Sequence, residues 1–151
     1  MDVKNKRIVV TGAASGIGKA LCEAFHEAKA QSIVAVDMNL DGAQETADSV
    51  NGIAIKANVG SEEDTINIIE KSDEHAGGID IYCSNAGIGG VPGFFEVNAS
   101  DWQNIWDVNV QSHIFAAKHV LPQMIERGEG YLVNTSSAAG LLTQLGAAGY
   151  S

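Results

Sequence analysis

The sequence has 151 residues, 45% of them apolar, with 17 glycines, 2 prolines and a formal charge of −10. That length allows one sizeable core, and a glycine excess without low-complexity runs fits an α/β domain rich in tight turns rather than a disordered chain. A surface this acidic repels polyanions, which excludes nucleic acid and anionic lipid as partners.

Cys22 and Cys83 are the only cysteines, and neither sits in a metal-ligand or disulfide spacing. They are expected to be buried free thiols of a reducing compartment. No apolar stretch is long enough for a membrane span, and the first residues lack a signal-peptide pattern. The expectation is a single cytoplasmic domain over residues 1–151, with no membrane partner and no metal site.

Taken in order, Arg7-Ile8-Val9-Val10-Thr11 is a short β-branched run that stops at Gly12. An amphipathic helix follows over 17–29, with Ile17, Leu21, Ala24, Phe25 and Ala28 at helical spacing. Residues 32–37 form a nearly continuous apolar strand, the pattern of a strand covered on both faces. A short helix is expected over 41–50 and a third strand over 53–59. Ser61-Glu62-Glu63-Asp64 is a helix start, a capping hydroxyl followed by acids that suit the positive end of the dipole. That helix runs to about residue 76, where Gly77-Gly78 stops it.

A fourth strand is expected over 79–84, then a glycine-rich loop over 88–98. Ser100 is expected to cap a long helix carrying Trp102, Ile105, Trp106, Asn109, His113, Ala116, Val120 and Met124 on one stripe, with Pro122 kinking or ending it. Gly128 and Gly130 close that helix, and residues 131–135 form a fifth strand. Strand and helix alternate five times, the pattern of a doubly wound Rossmann-type α/β sheet with right-handed crossovers.

Chemistry concentrates at the first turn. Gly12, Gly16 and Gly18, with Ser15 and Ile17 between them, stand between a strand and a helix. One glycine makes the turn, one admits a pyrophosphate close to the backbone, and one lets helix and strand pack tightly. Helix-terminal N–H groups then hold the phosphates. Asp37, at the end of the second strand, can accept hydrogen bonds from adenosine ribose hydroxyls and would repel a 2′-phosphate, favouring NAD over NADP.

Residues Thr11 to Gly18, Asn85-Ala86-Gly87, Asn109 and Asn134-Thr135-Ser136-Ser137 together resemble the short-chain dehydrogenase/reductase family, in order and along the whole chain. The resemblance implies that Asn85, Ala86 and Gly87 steady the central sheet beside the cofactor, although Ser84 stands where the family commonly has Asn. It implies that Asn58 and Val59 touch adenine, with Asn58 in a place usually held by Asp. Ser137 matches the catalytic serine that hydrogen-bonds the substrate oxygen, Tyr150 the catalytic tyrosine, and Asn109 the asparagine that holds a water in the proton relay.

The implied reaction is hydride exchange between nicotinamide and a small alcohol or carbonyl substrate, with the protein supplying orientation and proton transfer. The family places a lysine one helical turn past the tyrosine, whereas this sequence ends at Ser151. It is therefore expected to be the N-terminal part of such an oxidoreductase, lacking C-terminal elements and weak or inactive by itself. Two other readings stand beside that one: a non-catalytic dinucleotide-binding or structural module, and a subunit that another chain completes. Homo-oligomers are what the resemblance implies for the complete protein.

Overall fold

The computed structural model describes residues 2–90, 93, 95–142, 146 and 148–150. Positions 91, 92 and 94 of the expected glycine-rich loop, and Ser151, lie outside the described residues.

A five-stranded sheet in the order β3-β2-β1-β4-β5 forms the centre. Its strands are β1 (Arg7–Thr11), β2 (Ser32–Asp37), β3 (Ile53–Lys56), β4 (Ile81–Ser84) and β5 (Tyr131–Asn134). All four pairings are parallel, with Val9 opposite Val34 on one side and Tyr82 on the other. Alternation along β1 divides the core. Val9 joins Val34, Val36, Ile68, Val120 and Met124 on one face. Ile8 and Val10 join Cys22, Ile33, Ala35 and Ala47 on the other. Both faces are thus covered, which explains the near-continuous apolar runs of β1 and β2. The architecture is Rossmann-like.

Helices α1 (Gly16–Glu27) and α2 (Leu40–Ser49) contribute Cys22 and Ala47 to the second face; α3 (Glu62–Ala76) and α5 (Ser112–Arg127) contribute Ile68, Val120 and Met124 to the first. Ser61 caps α3 by accepting from the Asp64 amide, and Gly77 ends it in the left-handed region at φ 77°. Both thiols are buried and free. Burial pushes Cys22 and Cys83 up to about 12, so neither is a ready nucleophile. Among the described residues no helix is long and apolar enough to cross a membrane.

Three local expectations are corrected. The third strand ends at Lys56 rather than continuing to 59, because the chain turns after the Ala57 amide donates to the Asp37 carbonyl. Asn98, not Ser100, caps α4 (Ala99–Trp106): its Oδ1 accepts from the Ser100 and Asp101 amides while Asp101 accepts from the Asn98 amide. That reciprocal box satisfies three backbone amides where a lone Ser100 would satisfy one.

The third concerns the long helix. A π turn (Asp107–Gln111) separates α4 from α5, and its extra residue rotates the apolar stripe. Ile105, Val108, Ala116, Val120 and Met124 are buried, while Trp102 and Trp106 are 41% and 52% exposed. Pro122 does not end the element, since α5 continues to Arg127 before Gly128 closes it at φ 72°. On its outer side Ile114, Leu121 and Ile125 are exposed, as are Tyr131 and Val133 on the edge strand β5.

Candidate functional site

The sheet reverses its winding between β1 and β4, and ligands of open α/β sheets bind beyond the carboxyl ends of strands at such a point. A cleft of about 910 Å³ lies there, at the upper end of the range for ligand sites. Its walls come from the β1–α1 turn, the end of β2, the segment after β4, the π turn with the start of α5, and the segment after β5.

The first wall is the glycine turn. Gly12 has φ 71° and Gly16 has φ 55°, conformations that a side chain would strain. Their surroundings differ. A Cβ at Gly12 would lie 2.9 Å from Ala86 Cα, and one at Gly18 only 2.0 Å from the Gly12 carbonyl oxygen, whereas one at Gly16 would meet nothing within 4 Å. Gly12 and Gly18 therefore let chain segments touch, and Gly16 keeps the front of the turn open. Ser15, Gly16, Ile17 and Gly18 all line the cleft. The first amides of α1 have no partner within the helix, so the turn fits an anionic group.

Thr11 joins this wall to the next. Its Oγ1 donates to the Cys83 carbonyl at 3.2 Å and accepts from the Asn85 and Ala86 amides, each at 3.0 Å. Asn85 Nδ2 donates to the Thr11 carbonyl, and Thr135 Oγ1 donates to Asn85 Oδ1, both at 3.0 Å. One polar ladder thus locks the ends of β1, β4 and β5 together. The sequence marks Asn85, Ala86 and Gly87, but Thr11 and Thr135 only as members of longer motifs. Their hydroxyls cross between strands, which spacing along one chain does not reveal.

Asp37 lines the cleft at the end of β2. Its Oδ2 accepts from the Ala14 amide at 3.1 Å and its Oδ1 from the Asn39 amide at 2.9 Å, leaving further acceptor capacity on each oxygen. Asn109, on the π turn, is placed opposite: Oδ1 accepts from the Ile88 amide and Nδ2 donates to the Ile88 carbonyl, both at 2.9 Å. Ile88 is a wall residue that the sequence does not mark. Ser137 and Tyr150 complete the site, Ser137 Oγ accepting from the Ala139 amide at 3.2 Å and Tyr150 being 37% exposed.

Asn58 and Val59 are not among the residues of these walls. Val59 is buried. Asn58 is engaged locally, its Oδ1 accepting from the Gly60 amide at 3.0 Å and its own amide donating to Asp64 Oδ2 at 2.7 Å. His113, which the sequence pattern puts on an apolar stripe, instead lines the cleft and reaches Asn134. Its position one turn beyond Asn109 is the signal that could have found it.

Known proteins match this chain throughout its length. A family model described as short chain dehydrogenase matches residues 6–151. The chain is 34% identical over 143 residues to glucose 1-dehydrogenase 2 of Bacillus subtilis (strain 168), covering 90% of this chain and 55% of that protein. It is 32% identical over 152 residues to cyclohexanol dehydrogenase of Acinetobacter sp. (strain SE19), covering 97% of this chain and 60% of that protein. The crystal structure of a short chain dehydrogenase/reductase from Burkholderia phymatum, in complex with NAD, superposes with a TM-score of 0.94 at 26% identity, over 99% of this chain and 55% of that one. The chain thus spans little more than half the length of these relatives.

Proposed function

This chain belongs to the short-chain dehydrogenase family of oxidoreductases, and on that premise we propose that its cleft seats NAD for hydride transfer between nicotinamide and an alcohol or carbonyl substrate. The observation that carries the reading is one cleft walled at the same time by the glycine turn, Asp37, Asn109, Ser137 and Tyr150. Asp37 would hold the adenosine end, the turn at Gly16 the pyrophosphate, and Asn85, Ala86 and Gly87 would flank the nicotinamide. Asn58 and Val59 would support the adenine from just outside the walls. NAD is preferred to NADP because a 2′-phosphate would approach the Asp37 carboxylate. Among the described residues of the walls, none is a lysine or arginine that could offset it.

Bound NAD supplies the hydride acceptor or donor. The chain's own groups supply the rest. Ser137 accepts from the Ala139 amide, which orients its oxygen and leaves its hydrogen to donate to the substrate oxygen. Tyr150 takes the hydroxyl proton as general base in oxidation and returns it as general acid in reduction. A neighbouring cation would favour the tyrosinate that this step requires. Asn109 holds the Ile88 segment beside the nicotinamide position.

Calorimetric titration tests the cofactor site. NAD⁺ and NADH are expected to bind well below millimolar concentration, and the failure of both to do so would overturn the reading. Alcohol-dependent NADH formation by the protein carrying this chain, lost in Tyr150→Phe while NADH binding persists, separates a dehydrogenase from a module that only binds the nucleotide.

A further inference from the structure

One titratable side chain of the cleft has no part in that chemistry. His113 is half-buried on α5, on the same wall as Asn109. Its Nδ1 lies 3.1 Å from Asn134 Oδ1. An amide oxygen only accepts, so Nδ1 carries a hydrogen in the neutral ring and in the imidazolium alike. The bond to Asn134 therefore survives protonation. What changes is Nε2, an acceptor in the neutral ring and a donor in the cation, and with it the charge on the cleft wall.

The neighbouring titratable groups are carboxylates, phenols, Lys118 and one further imidazole, His119. Asp37 and Tyr150 share the cleft. Opposite α5, α3 presents Glu62, held by Lys118 and His119 at 2.7 Å each, and Asp73 beside Gln123. The π turn presents Asp107, bonded to Gln103. β4 presents the buried Tyr82, which shares a core cluster with Ala116, and β5 carries Tyr131. Among ordinary side chains only imidazole changes charge between about pH 5 and 8.

We propose that His113 sets the balance of affinity between oxidised and reduced cofactor, its imidazolium disfavouring the cationic nicotinamide of NAD⁺ relative to the neutral ring of NADH. The inference rests on the reading of the cleft as an NAD site with its nicotinamide toward Asn85, Ala86 and Gly87. Linkage makes the effect reciprocal: NAD⁺ lowers the proton affinity of His113 more than NADH does.

Dissociation constants of NAD⁺ and NADH for this chain, measured at about pH 5.5 and about pH 8, provide the test. The preference for NADH is expected to be about threefold greater at the lower pH, the order of effect for two unit charges across a solvated cleft. His113→Gln can still donate to Asn134 but never carries charge, and it is expected to make the preference independent of pH. His119→Gln, whose ring serves Glu62 instead, is expected to leave the pH effect in place. A preference that is flat with pH in the unaltered chain, or that still varies in His113→Gln, overturns the assignment and leaves the cofactor site standing. If neither nucleotide binds at either pH, the cofactor reading falls and the inference falls with it. Proton NMR titration of the unaltered chain gives a second readout that needs no variant. The His113 pKa is expected to fall more on adding NAD⁺ than on adding NADH, and equal shifts would overturn the proposal.

Discussion

Asn109 and Ile88 pair as two strand residues would, the side-chain amide of one accepting from and donating to the backbone of the other at 2.9 Å in each direction. The π turn that carries Asn109 thereby holds the segment after β4 in place. Asn109→Asp keeps the acceptor but sets a carboxylate oxygen against the Ile88 carbonyl. We expect a loss of about 2 kcal/mol, read as a fall in Tm of about 4–8 °C, together with weaker NADH binding. Unchanged melting and unchanged affinity would refute the role given to this pair.

The three glycines of the first turn differ in what substitution does. Gly18→Ala drives a Cβ toward the Gly12 carbonyl, which is backbone and cannot swing aside; the expected cost is about 3 kcal/mol in urea unfolding. Gly16→Ala meets no atom but must hold φ 55°, costing about 1–2 kcal/mol. Because its methyl enters the open front of the turn, nucleotide affinity should fall by more than that stability loss explains. Equal behaviour of the two variants in both assays would contradict the division of labour.

In the proposed NAD site, Asp37 is the residue expected to govern nucleotide choice. Its carboxylate is anchored by the Ala14 and Asn39 amides, so Asp37→Ala removes an acceptor of fixed direction. NAD⁺ affinity is expected to fall about tenfold, the order of one charge-assisted hydrogen bond. NADP⁺ affinity should hold or rise. Parallel titrations with the two nucleotides check this, and a constant ratio between them would count against the site.

At the opposite end of the sheet Arg7 Nη2 lies 2.5 Å from Asp80 Oδ1, and Arg127 adds a second cation at 3.8 Å. Hydrogen bonding to the Arg7 guanidinium holds the Asp80 carboxyl below its usual value. A carboxyl depressed in the folded state adds stability that is complete above its unfolded pKa of about 3.9 and is lost as pH falls through the folded value. Arg7→Met should therefore cost about 2–3 kcal/mol at neutral pH. The gap between variant and parent should narrow as pH falls through the folded value of Asp80, which urea unfolding followed from neutral to acid pH will show.

The strands, the glycine turn and Asp37 are legible in the sequence because each is a local pattern. β1 and β2 read as continuous apolar runs, and Ser61 and Gly77 punctuate α3 where their chemistry requires. The long helix departs from its pattern at one place. Its spacing from Trp102 to Met124 suits an unbroken helix, and nothing in residue type announces the π turn or the exposure of Trp106. The inter-strand ladder through Thr11, Asn85 and Thr135 is illegible for another reason. Thr11 and Asn85 lie 74 residues apart, Asn85 and Thr135 50 apart, and only the parallel register brings them together.

The strand order has a consequence for synthesis. β1 emerges first yet lies in the middle, paired through Ile8 with Ile33 on one side and Ile81 on the other. While the ribosome makes α2, β3 and α3, β1 and β2 can already pair, but the second edge of β1 stays bare until β4 appears. A bare edge of apolar β-branched residues invites pairing with another nascent chain. The domain therefore grows outward from its first strand, and the interval between β2 and β4 is when it most needs a chaperone.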